Sequence, residues 1–297
     1  MPAGSTTGRR LAGAGAGIAA AATVLLLFGA SRDGAAATVG AYPAQIGEAR
    51  RESVTVRIAP PVAGVVVSGA RAAGRPIVVI DPGHGGRDPG AVAVSGGIAE
   101  KDLTLALARE LRDRLVARGR VRVALTRDSD RYLTLEQRAS VARGLGASLF
   151  LSLHMDSAPN PLARGASVYS LSDVASDAEA ARFAQAQNAG GVAGTTDGSV
   201  RSMLSDLALR SQMSASAELA SRLVRKSSWR IALRPEPHRF ATFHVLRRAE
   251  APAVLFESGY LSNIDDEALL RSPEHRAAIV ASLVETIEAD VAARSRR

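Results

Sequence analysis

Ile77-Val78-Val79-Ile80-Asp81-Pro82-Gly83-His84-Gly85-Gly86 joins four consecutive β-favouring aliphatics to a Pro/Gly turn carrying one histidine. The aliphatic run reads as a buried strand, which proline and glycine end abruptly. In open α/β sheets, ligands bind just beyond the carboxyl ends of strands, where this turn places His84. The flanking glycines leave room beside the backbone for an ion or a substrate. A lone histidine in such a turn is equally readable as structural. Its meaning depends on what other groups reach the same end of the sheet.

Strand and helix patterns alternate from there on. Residues 101–118 carry an apolar stripe at Leu103, Leu107, Ala108, Leu111 and Leu115, and Gly119 ends that helix. A strand is expected at 121–125, and Thr134 with Gln137 forms a capping-box start for a helix running to about Arg143. Further strands are expected at 148–153, 165–171 and 253–256, and helices at 204–225 and from Ser272-Pro273 onward. This order implies an α/β fold: a twisted, mostly parallel sheet with helices on both faces, in a single domain over residues 76–297. One segment breaks the rhythm. Residues 172–204 are polar and Ala/Gly-rich, too long for an ordinary connection.

The N-terminal third has another character. Arg9-Arg10 precede a nearly uncharged run from Leu11 to Ala30, followed by small residues, an export-signal pattern over residues 1–37. The arginine pair raises the twin-arginine route, and a retained membrane anchor is the alternative. In either case the rest of the chain works outside the cytoplasm. Residues 38–75 read as a linker, with one strand-like piece at 54–58 able to join a sheet edge. Cysteine is absent, so no disulfide framework exists and stability rests on the core. The net charge is +8, but arginines are dispersed and aromatics make up only 4%, which argues against a nucleic-acid stacking platform. Attraction to anionic envelope polymers is the simpler reading.

Five histidines occur. His154 follows a buried strand as His84 does, so the two imidazoles can converge at one end of the sheet. Glu100 stands at the start of the first helix, where it can fold over the strand end or simply favour the helix dipole. Two imidazoles and one carboxylate make a common catalytic zinc set with an open position. Glu257 directly follows the last apolar strand, placed to act as a general base, or else as a rim carboxylate paired with an arginine. His238 falls in an expected polar loop, His244 in an expected strand and His275 on the surface of the last helix. Thr126-Arg127-Asp128 and Arg138 are expected to organise the loop after the second strand. No GxSxG elbow is present, and without cysteine there is no thiol nucleophile.

Together, Asp81-Pro82-Gly83-His84-Gly85-Gly86, Glu100-Lys101-Asp102, Leu125-Thr126-Arg127, Ser152-Leu153-His154 and Glu257-Ser258-Gly259-Tyr260-Leu261-Ser262-Asn263 resemble the zinc-dependent N-acetylmuramoyl-L-alanine amidases of the bacterial cell-division type. The resemblance runs in order over roughly residues 75–292. It implies zinc ligands at His84, Glu100 and His154, a catalytic glutamate at Glu257, and hydrolysis of the lactyl amide in peptidoglycan. It also implies periplasmic action and an insertion at about 172–204 that covers the metal until an activator protein with a degenerate endopeptidase domain displaces it. Residues 183–196 contain no Asp or Glu to fill the metal's open position, leaving Glu179 and Asp197 as the flanking acids. A wall-binding protein without catalysis and a zinc peptidase acting on peptide cross-links are the competing functions.

Overall fold

Seven strands form one sheet in the order β1-β3-β2-β4-β7-β5-β6 in the computed structural model, which describes residues 62–69, 74–189 and 200–296. The strands are β1 (Val67–Ser68), β2 (Ile77–Pro82), β3 (Arg122–Leu125), β4 (Leu149–Asp156), β5 (Ala166–Leu171), β6 (Leu233–Ala241) and β7 (Ala253–Tyr260). The helices are α1 (Glu100–Arg118), α2 (Leu135–Gly144), α3 (Ala178–Asn188), α4 (Val200–Ser227), α5 (His244–Arg247), α6 (Ile264–Arg271) and α7 (Pro273–Arg294). β3, β2, β4 and β7 are parallel neighbours, as are β5 and β6, while β1 and β5 run antiparallel to β3 and β7. The mostly parallel sheet is thus as the alternating pattern implies. The reversal at β5 brings the amino ends of β5 and β6 to the rim where β2, β4 and β7 finish.

Both faces of the sheet are covered. Leu107 and Leu111 of α1, Leu219 and Leu223 of α4, and Ile279 and Leu283 of α7 pack with Leu149, Leu151 and Leu153 of β4 on one face. Val141 and Ala142 of α2, Ala180 and Ala184 of α3, and Val245 and Leu246 of α5 pack with Phe150, Tyr169 and Leu255 on the other. Strand side chains alternate between faces, so His154 projects to the second face with Phe150 and Ser152. The expected terminators are in place. Gly119 takes φ 66° and returns its N–H to the carbonyls of Leu115 and Val116. Thr134 and Gln137 bond reciprocally at the start of α2.

Several boundaries and two assignments differ from the sequence reading. β4 and β7 run on to Asp156 and Tyr260, so His154 and Glu257 lie within strand ends instead of past them. Residues 235–239, expected as a loop carrying His238, belong to β6, where His238 Nε2 meets Ser170 Oγ at 2.9 Å. An edge strand tolerates its two prolines, and the register slips there: Ala166 faces Leu233 but Val168 faces His238. His244 opens the short helix α5 instead of a strand, because Asn188 Oδ1 accepts its backbone N–H at 2.8 Å. Helix α6 was not legible in the pattern; Asn263 caps it by accepting from the N–H groups of Asp265 and Asp266. Residues 172–204 are not wholly irregular, since α3 occupies their first half. In the expected linker, the edge strand among the described residues is Val67–Ser68. The export segment and the strand-like piece at 54–58 lie outside the described residues. Among the described residues, no helix is long and apolar enough to cross a membrane.

Candidate metal centre

His84 leaves the end of β2 with φ 58°, a left-handed conformation uncommon for a side chain with a Cβ. Two buried arginines hold the backbone in that shape. Arg127 donates to the carbonyls of Pro82, Gly83 and Lys101, tying the turn to the first residues of α1. Arg138 donates to the carbonyls of Pro82 and His84 and to Asp81 Oδ1. These two side chains therefore brace the loop after β2. The loop they were expected to organise, after β3, serves mainly to supply Arg127. Asp128 in that loop pairs outward with Arg109 and Arg112 of α1.

Asp81 anchors the arrangement from inside the sheet. Its carboxylate accepts from Thr126 Oγ1 at 2.6 Å and Ser152 Oγ at 2.9 Å as well as from Arg138. Burial opposes its ionisation, but the Arg138 charge and the Thr126 bond outweigh this and hold it below the ordinary range. Sequence reasoning passed over Asp81. An acid directly after an apolar strand is the signal for it, since buried acids are rare unless paired.

His84, Glu100 and His154 converge here. Glu100 Oε1 lies 2.9 Å from His154 Nδ1, and Glu100 Oε2 lies 3.1 Å from His84 Nε2. The same two oxygens accept the backbone N–H groups of Met155 and Ala91, which fix the carboxylate's orientation. The imidazoles meet edge to face with centroids 4.9 Å apart. Asp88, not foreseen from the sequence, brings Oδ2 to 3.0 Å from His84 Nδ1. Glu100 titrates far below its usual value: burial resists this, and the bonds to His154 and His84 prevail. His84 is raised, the Glu100 and Asp88 carboxylates overcoming its burial, whereas burial dominates and lowers His154.

Two glycines make this closeness possible. A Cβ on Gly83 would fall on the His154 ring, and one on Gly90 would fall on Glu100 Oε2 and the His84 ring. Gly83→Ala should therefore push His154 out of line. The expected result is a folded protein whose metal affinity falls about 10- to 100-fold, the scale seen when support of a metal ligand is lost. Competition against a chromogenic chelator measures it, and unchanged affinity would refute the packing argument.

Glu257 stands on β7 with its Cα opposite His154 on one side and Ser167 of β5 on the other. It is fully buried, and among the described residues neither oxygen has a hydrogen-bond partner and no arginine pairs with it, in contrast to a rim carboxylate. Burial, then the like charges of Asp156 and Glu100, raises it well above the ordinary carboxylate range. Asp156, two residues past His154, is also lifted by burial, to about 6. The His84 nitrogens face carboxylates without hydrogen-bond geometry, and the Glu257 oxygens have no partner among the described residues, so these buried polar atoms are not fully satisfied by the protein alone. With an imidazole–carboxylate–imidazole donor set, they fit a zinc ion and the water it activates.

The centre opens into a cavity of about 240 Å³, whose wall includes His84, His154, Asp88 and Tyr132. Ala186, Gln187 and Asn188, the last turn of α3, also line it.

Known proteins are similar to this chain in sequence and fold. The N-acetylmuramoyl-L-alanine amidase family (Amidase_3) matches residues 78–289. The chain is 34% identical over 219 residues to N-acetylmuramoyl-L-alanine amidase AmiC of Neisseria meningitidis serogroup B, covering 72% of this chain and 52% of that protein. It is 34% identical over 223 residues to AmiA of Escherichia coli K12, covering 73% and 76%. The chain thus spans about half the length of the first relative and about three quarters of the second. The catalytic domain of CwlV, an N-acetylmuramoyl-L-alanine amidase from Bacillus (Paenibacillus) polymyxa, superposes with a TM-score of 0.56 at 28% identity, over 73% of this chain and 98% of that one.

Proposed function

The chain belongs to the N-acetylmuramoyl-L-alanine amidase family, and from that premise we propose that it hydrolyses the amide joining N-acetylmuramic acid to L-alanine in peptidoglycan, using one zinc ion. The observation that carries this reading is Glu257, a fully buried carboxylate without partners set beside a His–Glu–His cluster. His84, Glu100 and His154 hold the zinc. The chemistry supplied by the bound ion is polarisation of the scissile carbonyl and acidification of the attacking water. Glu257 accepts a proton from that water and returns it to the departing alanine nitrogen. Its burial favours the protonated form and so prepares it for the second transfer. Glu100, held ionised, keeps both imidazoles in position.

Regulation belongs to the same proposal. The last turn of α3 lines the cavity and supports a role for it as a cover, with Gln187 and Asn188 in the wall and no acid among the lining residues of that turn. Asn188 hooks it down, donating from Nδ2 to the Thr242 carbonyl at 2.7 Å and accepting from the His244 N–H. A protein activator would act by releasing that hook. Asn188→Ala should accordingly raise turnover of sacculi about 10-fold, as loss of two part-buried hydrogen bonds loosens the cover. An unchanged rate would show that α3 does not gate the site. The export pattern in residues 1–37 supports action in the periplasm, on a released or membrane-anchored protein.

The direct test is incubation of the zinc-loaded protein with purified sacculi, with mass spectrometry of the products. The expected products are stem peptides with a new N-terminal alanine. Release of glycan fragments alone, or cleavage between peptides, would overturn the amidase assignment. Binding without any release would favour a wall-binding role.

A further inference from the structure

A second depression of about 700 Å³ adjoins the metal cavity and shares Ala186 with it as a common wall. It includes Asp156, two residues beyond His154, and is edged by three arginines: Arg164 in the β4–β5 connection, Arg182 on α3 and Arg234 on β6. Phe183 is the one aromatic on its lining. A groove built to hold a neutral glycan would offer aromatic faces and amides. This one offers guanidinium forks, whose geometry matches carboxylates.

The three arginines are not equivalent. Arg164 pairs with Asp265 at 2.7 Å on the outer side. Arg234 sits deeper. It donates to Tyr260 Oη, which in turn bonds Asp156, and so it is fixed relative to the strand ends that carry His154 and Glu257. Its fork is filled by Glu179 of α3, with Nη1–Oε1 at 3.0 Å and Nη2–Oε2 at 3.1 Å. Arg182, on the same helix, is exposed, and its guanidinium has no hydrogen-bond or ion-pair partner among the described residues. The groove therefore holds one bidentate fork already occupied by a carboxylate and one cation with none.

We propose that this groove binds the carboxylate-bearing peptide half of the substrate, with Arg234 and Arg182 as its anchors, and that Glu179 occupies Arg234 in the conformation seen here. The proposal rests on the amidase reading above, because that reading puts a carboxylate-bearing peptide on one side of the scissile amide, and this groove adjoins the metal cavity. In the covered state, α3 uses an acid to mimic the ligand at the peptide site and not at the metal. That acid lies on the flank of the segment whose centre has none.

Calorimetric titration of the full chain with L-Ala-D-Glu, and with the same dipeptide carrying both carboxyls amidated, tests this without turnover. The free acid should bind about 5-fold more tightly or better, the scale of one exposed charge-assisted contact. Arg182→Ala should remove most of that difference and leave the diamide unaffected. Glu179→Gln should tighten the acid about 5-fold, again without moving the diamide. Arg182 is exposed and Glu179 half-exposed, so both variants should fold. Equal affinity of the unsubstituted protein for the two dipeptides, or an Arg182→Ala variant with unaltered discrimination, would overturn the proposal. Intact discrimination in a protein that fails to cleave sacculi even as the Asn188→Ala variant, whose cover is loosened, would instead sink the amidase reading and leave the peptide groove standing.

Discussion

Glu257→Gln should lower kcat on sacculi about 10²- to 10⁴-fold, the range contributed by a positioned general base, while zinc content stays at one per chain. Glutamine fills the same buried volume and cannot exchange protons. The substitution also carries a stability signature. The folded-state pKa of Glu257 lies well above its ordinary value of 4.5. In metal-free protein, the stability linked to its proton is therefore complete below about pH 4.5 and is lost as pH rises toward the folded pKa. A neutral glutamine escapes that loss. Metal-free Glu257→Gln should match the parent protein near pH 4 and melt at a higher temperature at pH 7. A variant that loses activity and is less stable at pH 7 would show that Glu257 is ionised and paired, contrary to its lack of partners.

His154→Ala should abolish activity altogether. Its Nδ1 bond to Glu100 goes with the ring, leaving a buried carboxylate supported by His84 and two backbone N–H groups. Zinc bound after dialysis should fall below about a tenth of an equivalent, since two donors do not make the set that retains zinc. The thermal stabilisation that zinc gives the parent protein should vanish with it, because a ligand stabilises only the state that binds it. Elemental analysis and melting curves with and without zinc measure both. Full retention of zinc in His154→Ala would remove this residue from the centre and require another donor. Asp88, 3.0 Å from His84, would be the first to examine.

The four principal side chains were legible because each stands where an apolar run stops or a helix begins, and strand ends in a parallel sheet share one rim. The supporting residues were harder to read. Arg127 and Arg138 were expected to organise the loop after β3, yet both are buried and grip the carbonyls around His84 across 44 to 56 positions of chain. Nothing local marks such a contact. The misassignments at His238 and His244 have one cause. Pro235 and Pro237 signal a loop, but an edge strand with a register slip absorbs them, and the chain then turns directly into α5 under the cap from Asn188.

Local chemistry in the sequence was sufficient for the alternating layers, the termination of β2 at a glycine turn, the capping of α2, and the choice of His84, Glu100, His154 and Glu257 as candidates, which the family resemblance then joined into one set. Periodicity and turn residues act over a few positions and survive being read in one dimension. Tertiary structure alone decided that Glu257 is buried without a partner, that Gly83 and Gly90 yield their volume to the ligands, and that Glu179 fills the fork of Arg234 beside the cavity. Desolvation and steric closeness depend on what the rest of the chain brings to a point, and the sheet reversal at β5 is what brings β6 to that rim.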